Sequence, residues 1–276
     1  MRSANFSLQN SGQSGKLKFA LLIYMGEIMS TRAHLSVAII TFNEEHHIRD
    51  ALESVKWADE IIVVDSLSTD QTVAICREYT THVYQIPWHG HVQQKQIATD
   101  KTTSNWVLSL DADERVSPEL AADIQRVLTG EPEYVGYYMP RKTYYLGDWI
   151  NHCGWYPDHK LRLFQKQKGK WAGENPHDKV EVQGPTAYLH HDLSHYSYDN
   201  IADHVRKMNS YSSIAAAQKR GTISGFGILL RTLLIFLKKY ILKQGFRDGE
   251  RGLIVCLLSA VTVMLKYAKV WERENT

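Results

Sequence analysis

Cysteine is scarce in this 276-residue chain: Cys76, Cys153 and Cys256 lie far apart, with no Cys-X-X-Cys spacing. That pattern excludes a disulfide framework and a cysteine zinc site, and reduced thiols are expected. Neither Gly-X-Gly-X-X-Gly nor Gly-Lys-Ser/Thr occurs, so no glycine-rich loop can cradle phosphates with its amides. The Gly-X-Ser-X-Gly elbow is absent too, which counts against a hydrolase of that design. The uncharged run 253–265 holds 13 residues, short of the ~20 that a helix needs to span hydrocarbon. There is no internal repeat and no low-complexity linker.

Negative charge is scarce in one part only. From residue 201 onward, 13 Lys and Arg stand against 5 Asp and Glu, a surplus of 8, whereas the first 200 residues hold 19 against 25, a deficit of 6. The basic third is also rich in Leu, Ile and Phe, which points to an anionic membrane surface. Nucleic acid is disfavoured as a partner, because the cations alternate with aliphatics rather than with stacking aromatics. Residues 1–28 are polar, with a short apolar patch at 19–24 and no cleavage-site pattern. Residues 1–32 are therefore expected to be a disordered extension or a product of start-codon choice.

From residue 35 the chain alternates. Short β-branched runs at 35–41, 61–64, 83–86 and 106–110 read as buried strands, separated by helical periodicity from 48 to 55, 70 to 79 and 91 to 102. Such alternation predicts an α/β fold, a mostly parallel sheet with helices on both faces. The right-handed crossover rule then brings the ends of these strands to one edge. A helix follows at 118–128, with Ser117 as its cap and Pro118 at its first position. Further strands are expected at 135–140, 160–164, 179–182 and 187–190, with an aromatic-rich loop at 144–157 whose rings suit either sugar faces or a local core. Helices at 200–220, 226–242 and 253–270 form an amphipathic C-terminal extension, which suits either an interfacial hairpin or a flap packed on the preceding domain.

The chemistry gathers at the predicted sheet edge. The fourth strand ends in Asp111-Ala-Asp113, two hard oxygen donors where open α/β sheets bind ligands. Paired carboxylates there suit a divalent cation that holds phosphates. The first strand supplies Thr41, Asn43 and Glu44, the second Asp65, and the helix after the third Lys95. Acids for a metal, an acid near a base or ribose, and a lysine for phosphate together describe a nucleotide-diphosphate pocket.

Three ordered motifs carry a resemblance: Ser-Val-Ala-Ile-Ile-Thr-Phe-Asn-Glu-Glu, Glu-Ile-Ile-Val-Val-Asp-Ser-Leu-Ser-Thr-Asp-Gln-Thr, and Trp-Val-Leu-Ser-Leu-Asp-Ala-Asp-Glu. Over residues 35–130 the chain resembles the family 2 glycosyltransferases of the GT-A fold. Gly-Trp-Tyr-Pro-Asp-His-Lys-Leu-Arg-Leu-Phe, Asn-Pro-His-Asp-Lys-Val and the tail resemble a narrower group, the lipopolysaccharide inner-core enzymes that add β-1,4-glucose to heptose. The resemblance implies that Thr41, Asn43 and Glu44 border the nucleotide and that Asp65 hydrogen-bonds uracil. It puts Lys95 near the diphosphate, Asp113 on Mg2+ or Mn2+, and Asp111 on the ribose or a metal-bound water.

Family 2 enzymes invert the anomeric centre, so a carboxylate must take the acceptor's proton. The family's Glu-Asp dipeptide is absent. Asp178, after His177, and Asp158, in Tyr-Pro-Asp-His-Lys, are the two candidates. Asp178 is favoured, with His177 as a metal neighbour, an orienting residue or a structural histidine.

The expected protein is an inverting, metal-dependent hexosyltransferase that moves glucose first of all from a UDP-sugar to a lipid-linked saccharide. It would work peripherally, at the cytoplasmic face of the inner membrane. Its glycosyltransferase domain spans 33–198, with a nucleotide-sugar half to 130 and an acceptor half from 131, followed by a membrane-associating region at 199–276. Rival readings are a glycosyltransferase of another envelope glycan, a nucleotidyltransferase and a non-catalytic membrane scaffold.

Overall fold

A computed structural model describes residues 32–130, 132–174 and 177–276, with His177 described through its backbone only. The expectation for the N-terminal extension falls, all but its last residue, outside the described residues.

Four strands form the parallel part of the sheet: β1 (Leu35–Thr41), β2 (Glu60–Asp65), β3 (Val83–Gln85) and β4 (Trp106–Asp111), in spatial order β3-β2-β1-β4. Each of β1 and β4 is an apolar run buried on both faces, as covered parallel strands require. Helices α1 (Ile48–Val55), α2 (Thr72–Arg77) and α4 (Pro118–Val127) pack on one face through Ile48, Leu52, Cys76, Leu120 and Ile124. The opposite face is covered by α3 (His91–Asp100) and by a separate hairpin of β9 (Gly169–Glu174) and β10 (His177–Val182), through Ala98, Trp171 and Val180. The predicted cap holds: Ser117 Oγ accepts from Leu120 N at 3.1 Å and Pro118 occupies the first helical position. This is the mixed α/β GT-A architecture that the resemblance implies.

The sheet does not stop at β4. β8 (Asp158–Gln165) runs antiparallel beside it, followed by β6 (Gly136–Tyr145), β12 (Leu193–His195) and β5 (Glu114–Val116), while β7 (Asp148–Trp149) and β11 (Thr186–Tyr188) also pair with β6. The expected strand at 135–140 is thus five residues longer at its C-terminal end, because three partners extend its ladder. β5, β7 and β12 are too short to show a period in sequence, and they exist because neighbouring strands supply their hydrogen bonds.

One irregularity matters for the site. Tyr137 pairs with Leu163 and Tyr138 with Leu161, so Arg162 is an extra residue with no partner on β6, a β-bulge. Leu161 and Leu163 consequently join the hydrophobic clusters on opposite faces of the sheet, although they are two residues apart.

The C-terminal region is helical, as expected, with different boundaries. α5 (Ile201–Ala217) is capped by Asn200, α6 (Gly225–Leu237) by Ser224, and a π-helical turn (Lys238–Leu242) and a 3-10 turn (Gly245–Asp248) lead into α7 (Gly249–Asn275). At the entry to α7 the backbone comes so close that a Cβ on Gly252 would lie 2.0 Å from the Gly245 carbonyl oxygen. Asp248 ties this corner to the sheet domain, accepting from the His152 amide at 2.8 Å. Lys269 on α7 then donates to Asn209 O, Asn209 Oδ1, Ser212 Oγ and Ser213 Oγ on α5, at 2.7–2.9 Å.

α5 is anchored from below by His204. Its Nδ1 lies 2.8 Å from the Tyr145 hydroxyl, and the Tyr198 ring stacks on it at 4.2 Å. Burial, and to a lesser degree Lys207, pushes this imidazole down to about 4. Between pH 6.5 and 4 the unfolded chain therefore takes up a proton that the folded chain refuses. Stability should fall with falling pH through that window, by up to about 1.4 kcal/mol per pH unit. Denaturant titrations of wild type and His204→Phe between pH 7 and 4 test this, since the variant should lack that component of the slope.

Candidate active site

The parallel strands end together. Thr41 pairs with Asp65 and Ile40 with Asp111, so β1, β2 and β4 deliver their terminal residues to one edge. Above that edge lies a cleft of about 1180 Å³. Strand ends form its floor, β8 and β10 one side, and α5 and α7 the far wall, through Tyr211, Gln218, Thr262 and Lys266.

Asp111 sits in a net of cations. Arg162 Nη2 donates to its Oδ2 at 2.6 Å, and Lys95 Nζ donates to the same oxygen at 3.1 Å. Lys95 is also 2.8 Å from Oδ1, yet that contact lacks hydrogen-bond geometry, so Oδ1 is a buried acceptor without a donor. Burial opposes its charge, but Arg162 and Lys95 hold the carboxyl well below the usual carboxylate range. Lys95, itself 3% exposed, spans to Asp178 Oδ2 at 2.8 Å and lies 5.0 Å from the centre of the Trp171 ring.

Glu114 is the hub beneath. It is fully buried, accepts from the Asp111 amide at 3.0 Å, and accepts from Arg162 at 2.7 Å and Arg141 at 3.2 Å. Arg141 continues to Asp158 at 2.7 Å, and Lys160 reaches Asp158 from the other side at 3.1 Å. Burial works against the charge on Asp178 and on Asp158, but Lys95 lowers the first and Arg141 with Lys160 the second.

Asp113 has a different environment. Its Oδ2 lies 3.3 Å from His195 Nε2; burial opposes its charge, yet His195 draws the carboxyl down to about 2. Glu44, across the cleft floor, is pushed up to about 8, by burial first and by the Asp113 charge second. At neutral pH Asp113 is therefore ionised, while Glu44 largely keeps its proton.

These residues fit a hard divalent cation. Asp113 and Oδ1 of Asp111, which accepts no hydrogen bond, are hard oxygen donors one residue apart, the donor type such an ion takes. Among the described residues no three His, Cys, Asp or Glu side chains form a ready cage. A cation here would be completed by phosphate oxygens and water, the usual habit of Mg2+.

The structure gathers Thr41, Glu44, Lys95, Asp111, Asp113, Asp158 and Asp178 around the one cleft. The Thr41 hydroxyl is buried there without a hydrogen-bond partner. Asn43 and Asp65 do not line the cleft: Asn43 is exposed and Asp65 is buried. Asp65 is fully buried and both its oxygens accept from Ser68, from the amide at 2.9 Å and from the hydroxyl. Asn43, held at φ 52, accepts from the Thr69 amide at 2.8 Å and gives its own amide to Ser68 Oγ at 2.8 Å. The pair laces the loops after β1 and β2 into a single rim. His177 opens β10, and its side chain lies outside the described residues.

Sequence reasoning did not pick out Glu114, Arg141, Arg162 or His195. Glu114 follows the Asp-X-Asp pair directly, and a charge at 162 inside Leu-Arg-Leu-Phe was the available sign of a buried cation. Removing Arg162 leaves Asp111 and Glu114 under-compensated. Arg162→Met should therefore cost roughly 3–5 kcal/mol, read as a lowered urea midpoint. A Glu114→Gln/Arg162→Met double variant should recover part of that loss, giving a coupling that additive effects would not show.

Residues 36–194, more than half of the chain, match the family model described as glycosyl transferase family 2. An uncharacterized glycosyltransferase of Rickettsia prowazekii is 33% identical over 258 residues, covering 86% of each chain. The lipopolysaccharide core biosynthesis glycosyltransferase LpsC of Rhizobium meliloti is 29% identical over 260 residues, 89% of this chain and 94% of its own. Among solved structures, S. aureus TarS in complex with UDP-GlcNAc aligns with a TM-score of 0.46 at 15% identity, covering 87% of this chain and 91% of that one.

Proposed function

The chain belongs to glycosyl transferase family 2, and from that premise we propose that it moves a hexose, glucose first of all, from a UDP-sugar to a lipid-linked saccharide of the lipopolysaccharide inner core. The observation that carries the donor side is the placement of Asp111 and Asp113 at the end of β4, on the floor of the cleft. The acceptor assignment leans on the likeness to a protein named for lipopolysaccharide core biosynthesis.

In this reading the diphosphate lies over Asp113, with Asp111 turned to the ribose or a metal-bound water, and Thr41 and Glu44 border the nucleoside. Asp65 and Asn43 shape the rim that receives the base. Bound Mg2+ or Mn2+ would be held by Asp113, with Asp111 beside it, and would supply charge stabilisation for the departing UDP. Arg162 and Lys95 keep Asp111 ionised, and Glu114, accepting from its amide, holds it in place. The acceptor hydroxyl attacks the anomeric carbon from the opposite face, and Asp178 takes its proton, with Asp158 as the alternative base. Trp155, which lines the cleft and stacks on Tyr198, is placed to cover an acceptor ring.

The C-terminal helices supply the location. No residue of α6 is buried, and Phe226, Leu229, Leu233 and Leu234 are each more than half exposed. They recur at the spacing of one helix face. Exposed Lys238, Lys243 and Arg247 follow on the next turns, so the apolar face is flanked by cations suited to an anionic leaflet. Gly245–Asn275 is long and apolar enough to cross a membrane, but Val255, Cys256, Ala260 and Val270 are packed inside the protein. A helix so engaged suits the interface, at the cytoplasmic face of the inner membrane.

Asp113→Asn should keep the fold by circular dichroism and lower transfer of labelled glucose from UDP-glucose to an envelope acceptor extract by roughly 10³-fold. Chelation should do the same to wild type, reversed by Mg2+ or Mn2+. Turnover that survives chelation would remove the metal from the scheme. Asp178→Asn should depress kcat with UDP-glucose binding intact, and such a result with Asp158→Asn instead would exchange their roles. Leu229→Glu/Leu233→Glu should abolish sedimentation with phosphatidylglycerol-containing vesicles; unchanged sedimentation would refute interfacial docking by α6.

A further inference from the structure

Two cations stand at the seam between the cleft and the apolar face of α6. The Arg231 guanidinium carbon, on α6, lies 5.1 Å from the centre of the Tyr267 ring, and Lys266 Nζ, on α7, lies 5.6 Å from the same ring. Neither has an ion pair or hydrogen bond among the described residues. Their neighbours differ: Lys269 is saturated by four oxygens of α5, Arg273 donates to two carbonyls and a carboxylate, and Lys207 pairs with Asp203.

The positions of the two cations differ in a useful way. Lys266 lines the cleft beside Thr262 and Val263. Arg231 is exposed and directly follows Leu230 in the apolar stripe of α6. Two like charges gathered on one ring repel each other, and the ring's negative face offsets that only in part. An anion between them would relieve the repulsion. A group with several oxygens satisfies both a planar guanidinium fork and a compact ammonium, which is the chemistry of phosphate. Lys266 is on α7 and Asp113 follows β4, so the pair and the carboxylate floor are carried by different elements of the cleft.

We propose that Arg231, Lys266 and Tyr267 form a phosphate subsite where an amphiphile passes from the apolar face of α6 into the cleft. The phosphate is carried either by the acceptor saccharide or by a lipid headgroup. The inference rests on the reading of a lipid-linked acceptor and specifies the chemistry of its head.

The test compares full-length wild type with Arg231→Gln/Lys266→Gln and with the charge-keeping Arg231→Lys/Lys266→Arg. With UDP and Mg2+ saturating the donor side, calorimetry with inorganic phosphate should show binding to wild type and to the charge-keeping variant but not to the glutamine variant. This readout needs no turnover, so it stands apart from any failure of the transfer reading. For the acceptor source, the KM for deacylated core oligosaccharide should rise about tenfold in the glutamine variant, and phosphatase treatment of the saccharide should erase the difference. For the headgroup source, KM stays equal, and sedimentation with phosphatidylglycerol vesicles falls while that with phosphatidylcholine does not. Either pattern supports the subsite. A glutamine variant that matches wild type in phosphate binding, KM and sedimentation overturns it. Lys266→Gln alone takes its place if the double variant misfolds.

Discussion

A carboxylate cannot be taken out of water without a partner, and the centre of this protein follows from that constraint. Glu114 is fully enclosed beneath the catalytic floor, so Arg162 and Arg141 must come to it. They arrive from β8 and β6, the strands that extend the sheet beyond its parallel part. The same arginines reach Asp111 and Asp158. Ion pairs of this kind return little net stability, because desolvation consumes most of the attraction. Their value here is geometric. They hold several acids ionised at defined places around a cleft, while burial and the Asp113 charge keep Glu44 largely protonated.

Around that centre the chain divides its labour by distance along the sequence. The rim at the ends of β1 and β2 is made by loops 26 residues apart that lace each other, Asn43 to Thr69 and Glu45 to Gln71. The opposite wall is made by helices joined to each other through Lys269 and to the sheet domain through Asp248. The carboxylates of the cleft are thus carried mainly by the sheet domain, and its far wall by elements that also present the apolar face.

The first half of the fold was legible because its physics is local. Buried parallel strands are continuous apolar runs, helices show their period, and Ser117-Pro118 announces a start, so β1 to β4 and α1 to α4 lie close to where periodicity places them. Asp111 and Asp113 were legible for the same reason, as polar residues that abruptly end an apolar strand. The second half was legible only in part. β5, β7 and β12 have two or three residues each, and their existence depends on partners distant in sequence. Lys95 shows the limit within the site itself: its place near the sheet edge is readable from the sequence, but its burial between Asp111 and Asp178 depends on strands that only tertiary pairing assembles. Asp65 was visible as a strand-end acid, while its engagement by Ser68 belongs to turn geometry that composition does not reveal.

The bulge at Arg162 has an evolutionary consequence. Leu161 and Leu163 face opposite sides of the sheet although two positions apart, so joining them directly would leave each on its own face and the β6–β8 ladder continuous. Arg162 is therefore a residue that the sheet does not need. A single inserted codon suffices to lay a buried cation against Asp111 and Glu114 without reversing the inside and outside of the strand, and its loss would keep the strand register while leaving those two acids under-compensated. Lineages that keep this ladder and lack the arginine would be the place to look for chains that have left catalysis behind.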